Sequence, residues 1–179
     1  VEQTMRNTRK LILSAMFLAL GQVLPFVTGQ IPEIGKMLCP MHFPVLLCGF
    51  FCGWNYAAVV GFICPLLRSV LFGMPVMFPS AVGMAFELMT YGLVSGLLSR
   101  KLGMKSYSSI YLTLLAAMVC GRLVWGIAQI ILLGINGSAF TMQAFLAGAV
   151  INAIPGIVLQ LILIPLIVRT LGKRGTAQE

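Results

Sequence analysis

Acidic residues are nearly missing from this chain: four among 179, against twelve lysines and arginines and a single histidine. Two carboxylates inside an apolar segment, a histidine pair able to hold a metal, a P-loop and a GxSxG turn are all absent. Each is the minimum for a reaction class, so catalytic residues, metal ligands and cofactors are not expected. Charge of any sign is scarce, at 9% of residues, where a soluble chain carries about a quarter. A soluble domain is thereby excluded. Nor do the five cysteines (Cys39, Cys48, Cys52, Cys64, Cys120) form a CxxC pair. Cys48 and Cys52 stand one helical turn apart, yet structural zinc wants four ligands. Small apolar packing residues are the simpler reading. Low-complexity tracts and internal repeats are also missing.

What fills the chain is apolar: 59% of it is hydrophobic. A membrane crossing needs about 20 mostly apolar residues, and six can be drawn, at about residues 9–28, 41–52, 56–72, 80–99, 109–133 and 142–168. The expected architecture is all-α, a single polytopic transmembrane domain over residues 1–179. The second segment is short for a full crossing and is expected to tilt, or to begin within the preceding loop, Gly29–Pro40. Pro155-Gly156 loosens the sixth. A basic stretch precedes the first segment, as in a signal peptide. No small-x-small cleavage site follows Leu24-Pro25-Phe26, so a retained helix is expected. Val1 fits a GTG start codon and so a prokaryotic cell membrane.

Nine of the twelve basic residues fall in three clusters: Arg6, Arg9 and Lys10; Arg100, Lys101 and Lys105; Arg169, Lys173 and Arg174. The clusters flank apolar segments, which is the positive-inside pattern rather than a nucleic-acid surface. Six crossings put both ends on one side. With the termini cytoplasmic, nine basic residues face inward and only Lys36 faces out.

Three charges interrupt the apolar segments: Arg68, Glu87 and Arg122. A charge at the bilayer centre costs roughly 2.5–3.5 kcal/mol on insertion scales, so such residues commonly mark a site. Arg68 and Glu87 flank the short Gly73–Pro79 connection and lie at similar depth, roughly 7–12 Å below the outer boundary. They either form a buried ion pair that fixes helix packing or face a cavity. If Glu87 neutralises Arg68, Arg122 has no acidic partner left. Trp125 and Gln129 share its helical face, a stripe suited to a small anionic or amphipathic ligand; alternatively Arg122 snorkels or binds carbonyls. Tyr91 shares a face with Glu87, and Asn152 lies in the outer half of the last segment. With His42, the candidate ligand-binding set is His42, Arg68, Glu87, Tyr91, Arg122, Trp125, Gln129 and Asn152. Small residues also recur four apart, at Ala15 and Ala19, Gly49 and Gly53, and Gly92 and Gly96. Such pairs let membrane helices approach closely, mostly within one chain.

Several of these features together resemble a known family. They are the Ala15-Met-Phe-Leu-Ala19 pattern, the run His42-Phe-Pro-Val-Leu-Leu-Cys-Gly with Gly53 and Gly61 beyond, and Pro65-Leu-Leu-Arg-Ser…Gly73-Met-Pro…Phe78-Pro…Glu87-Leu-Met-Thr-Tyr91-Gly92. Over nearly its whole length the chain looks like a substrate-binding S component of an energy-coupling factor (ECF) vitamin transporter, closest to the pantothenate-type group. The resemblance implies a high-affinity vitamin-binding subunit without its own ATPase. Its partners would be a transmembrane T subunit, met through Ala15 and Ala19, and two ABC-type ATPases. The Gly29–Pro40 loop would cap the pocket. An unpaired Arg122 fits the pantothenate carboxylate; riboflavin or a deazapurine stacked on Trp125 is the alternative. From other classes, a self-sufficient secondary carrier using Glu87 as its coupling group, or a structural assembly subunit, remain as rivals.

Overall fold

The computed structural model describes residues 2–27, 39–104, 106–135, 137, 141–149 and 153–175. Among them there are seven α-helices and no strand: α1 (Glu2–Val27), α2 (His42–Cys52), α3 (Trp54–Phe72), α4 (Val82–Leu102), α5 (Tyr107–Ile135), α6 (Met142–Ala149) and α7 (Ile154–Gly175). A wide helical turn, Met77–Ala81, leads into α4. Two glycines set the corners. Gly73 ends α3 in the left-handed region at φ 70° and donates to the Ser69 carbonyl at 2.9 Å, a C-terminal stop that a side chain would strain. Gly53 takes φ 94° between α2 and α3, reversing the chain within one residue.

Five segments are long and apolar enough to cross a membrane: Gln3–Phe26, Trp54–Phe72, Met77–Leu102, Tyr107–Ile135 and Ile154–Leu171. Their outward faces carry the apolar residues. On α5 the exposed stripe is Leu112, Leu115, Val119, Leu123, Ile127 and Ile130, while Thr113 and Gln129 are buried. That inverts the water-soluble helix, whose apolar stripe faces the core; only a hydrocarbon surround makes such a face inexpensive.

The expected second crossing is a different object. At 11 residues, α2 is about 16 Å long at 1.5 Å per residue, roughly half a hydrocarbon core. Nine of its residues are buried, from His42 to Cys52, so its apolar surface is spent on other helices rather than on lipid. The expected sixth crossing is also divided, into α6 and α7 on either side of residues 150–152, which lie outside the described residues. Pro155 falls in the first turn of α7, where a missing N–H costs nothing, so it does not loosen a helix interior.

The central helix is α4, which packs on α2, α3 and α5. Its small face explains the closeness. A β-carbon on Gly92 would strike the Ala57 carbonyl, one on Gly96 the Trp54 backbone, and one on Gly49 of α2 the Ser95 hydroxyl. These small residues are therefore used up within the chain. Ala15 and Ala19 are not: both are exposed on α1.

Candidate functional site

The interior polar residues meet where α2 begins. His42 is the first residue of α2, Glu87 lies nearer the start of α4 than its end, and Arg122 lies midway along α5. Glu87 Oε1 accepts from Arg122 Nη1 at 2.9 Å and pairs with His42 Nε2 at 3.2 Å. The Glu87 and His42 side chains are almost wholly enclosed, at 2% and 3% exposure, and Arg122 keeps 14%. Arg122 Nη2 also reaches Cys39 Sγ at 3.4 Å. Beneath the triad, the Tyr91 ring meets the His42 ring edge to face at 4.9 Å. Tyr91 packs so closely on Gly121 of α5 that a methyl group there would collide with it.

This overturns the expected pairing. Glu87 does not neutralise Arg68, and Arg122 is not without an acidic partner. The reason is rotational: the Glu87 face of α4 turns to α2 and α5, whereas Arg68 turns to α1. The Arg68 guanidinium donates to the Gln22 carbonyl and lies over both the Phe26 and the Phe72 ring, 5.0 and 5.1 Å from their centres. Gln22 answers by donating from Nε2 to the Cys64 carbonyl at 2.9 Å. Arg68 thus clasps the end of α1 to α3, apart from the triad. A cation held by carbonyl and aromatic faces needs no carboxylate.

The rest of the candidate set is placed as follows. Trp125, half-buried, stacks on Phe145 of α6 at 6.2 Å between ring centres. Gln129 is buried against Gly83 of α4. Asn152 and residues 29–38 of the expected capping loop lie outside the described residues. The structure therefore brings together the triad of His42, Glu87 and Arg122 with Tyr91 against it, and places Trp125 and Gln129 further along α5. Cys39 was not anticipated; a cysteine before a proline in a loop carries no signal of its contact with a helix eighty residues on. Among the described residues no group of three His, Cys, Asp or Glu side chains gathers to hold a metal ion.

Two polar atoms of the triad have no hydrogen-bond partner although buried: His42 Nδ1 and Arg122 Nε. Buried polar groups are nearly always satisfied in native proteins, and Gln22 Oε1, beside the Arg68 clasp, is left open in the same way.

Fold and centre together define a multi-pass helical membrane protein with a charged interior. Its family can be stated outright. Residues 9–168 match the family model described as ECF transporter, substrate-specific component, and the chain belongs to that family. It is accordingly a transport subunit, with ATP hydrolysis the work of partner ATPases. No curated protein and no solved structure is significantly similar to it.

Proposed function

We propose that this protein is the high-affinity binding subunit of an ECF-type importer for a vitamin or related micronutrient, acting as one domain in a prokaryotic cell membrane. The observation that carries the reading is the enclosed His42–Glu87–Arg122 centre with its open hydrogen-bonding atoms. Spending two buried charges on packing alone is a poor bargain in hydrocarbon. Glu87, Tyr91, Arg122 and His42 line the ligand end of the site, with Trp125, Gln129 and Asn152 as further contacts; Arg68 acts from outside it. Ala15 and Ala19, exposed on α1, meet the T subunit. Among vitamins the His42–Gly92 likeness favours pantothenate, but the leftover charge that argued for a carboxylate is spent on Glu87.

The test separates this reading from an autonomous carrier. Native mass spectrometry of the detergent-purified protein, expressed alone, should find a bound small molecule, while uptake by cells should require co-expressed T and ATPase subunits. Uptake by the chain alone, driven by a proton or sodium gradient, would establish the carrier instead.

A further inference from the structure

The connection from α3 to α4 carries no charge at all. Residues 69–86 contain no Lys, Arg, His, Asp or Glu, and their only polar side chains are Ser69 and Ser80. Even so the turn stands out from the protein. Val70, Leu71 and Val76 are each more than half exposed, and Met74, Met77 and Phe78 more than a third. The connection from α4 to α5 is the opposite case, since it exposes Arg100 and Lys101. An exposed apolar patch of this kind marks a surface that another body covers.

Continuity and length identify that body as lipid. Val59, Ile63 and Val70 share one exposed face of α3, so the patch prolongs the apolar face that α3 already turns outward. Across that face Phe62 meets Phe86 of α4 at 5.7 Å. With 19 residues, α3 rises about 28 Å, against a hydrocarbon core of about 30 Å. Its exposed first residue, Trp54, belongs at one membrane boundary, where indoles collect. Phe72 then only just reaches the other, and the turn begins there rather than in water. The backbone suits the place: Pro75 and Pro79 have no N–H, Gly73 donates to the Ser69 carbonyl and Ala81 to that of Val76, both at 2.9 Å. Irregular backbone does not face lipid within the hydrocarbon core, which sets the depth at its edge. We propose that residues 70–78 are seated in the lipid at the headgroup–acyl boundary, with Leu71, Met74, Val76 and Phe78 among the upper acyl chains. The connection is thus a membrane anchor that fixes the height of the subunit, whatever ligand it binds.

The test uses the full wild-type chain, one copy per nanodisc of phosphatidylethanolamine and phosphatidylglycerol, with two readouts by peptide mass spectrometry. Hydroxyl radicals generated in the water should oxidise Met5, which is more than half exposed just ahead of Arg6, and should leave Met74 and Met77 intact. A phospholipid carrying a diazirine high on its acyl chain should, on illumination, label residues 70–78. Protected methionines together with labelling support the proposal. Met74 and Met77 oxidised as readily as Met5 place the turn in water and overturn it. Protection without labelling means that protein, not lipid, lies over the turn, and overturns it as well. Protection that appears only in discs holding two chains assigns the patch to a second copy instead.

Discussion

At the residue scale, Glu87 holds two partners on one oxygen, and the two members of its ion pair differ in how they tolerate loss. Breaking a buried pair by removing one partner costs about 3–5 kcal/mol, because a charge is left uncompensated. Glu87 can escape that cost by taking up a proton; the Arg122 guanidinium cannot give one up. Glu87→Gln should therefore destabilise the protein more than Arg122→Gln, by unfolding in detergent. The double variant should lose less than the sum of the two, with a coupling of about 1–3 kcal/mol. Strict additivity would mean the pair contributes nothing as a pair. That Glu87 and Arg122 matter was legible in the sequence, since charges stand out in apolar runs. Which charge meets which was not. It depends on how α4 is rotated about its axis, and Gly61, Gly92 and Gly96 set that rotation by deciding where α3 can touch α4.

At the scale of elements, small residues divide into two kinds that look alike in the sequence. Gly92 and Gly96 lie against the backbone of α3, where nothing can give way, since the atoms met are the Ala57 carbonyl and the Trp54 chain itself. Ala15 and Ala19 project from a helix whose neighbouring Ile12, Met16 and Val23 are more than half exposed. Enlarging the first kind should wedge α3 from α4: Gly92→Ala and Gly96→Ala are each expected to cost about 1–3 kcal/mol. Enlarging the second kind should leave the subunit alone. A double Ala15→Leu, Ala19→Leu variant is expected to stay within about 0.5 kcal/mol of wild type and to bind ligand normally, yet to lose uptake with the T and ATPase subunits present. Loss of binding would place Ala15 and Ala19 in the subunit's own packing instead. Helix positions were readable here from apolar run length, because lipid demands it. Length failed for α2, whose apolar residues face protein, and hydropathy cannot tell a protein surround from a lipid one.

At the scale of the whole molecule, the helices gather the basic clusters at one end. Phe26 at the end of α1 meets Phe72 at the end of α3 edge to face at 5.0 Å, so these two helices finish together. The start of α3, at Trp54, packs on Gly96 toward the end of α4, where Arg100 and Lys101 follow. Arg169 on α7 lies 4.5 Å over the Tyr107 ring that opens α5. Arg6, Arg9 and Lys10, Arg100 and Lys101, and Arg169 therefore share an end, and Glu87 sits toward the other. By the positive-inside rule that end is expected to face the cytoplasm, which under the proposed function would leave the triad loadable from outside. A fluorescent protein fused to the C-terminus should consequently fold and fluoresce, and an alkaline phosphatase fused there should stay inactive. An active phosphatase with a dark fluorescent fusion would reverse the molecule. The triad would then lie nearer the cytoplasm, and an importer's binding subunit could not capture its ligand there, so this measurement bears on the function as directly as on the topology.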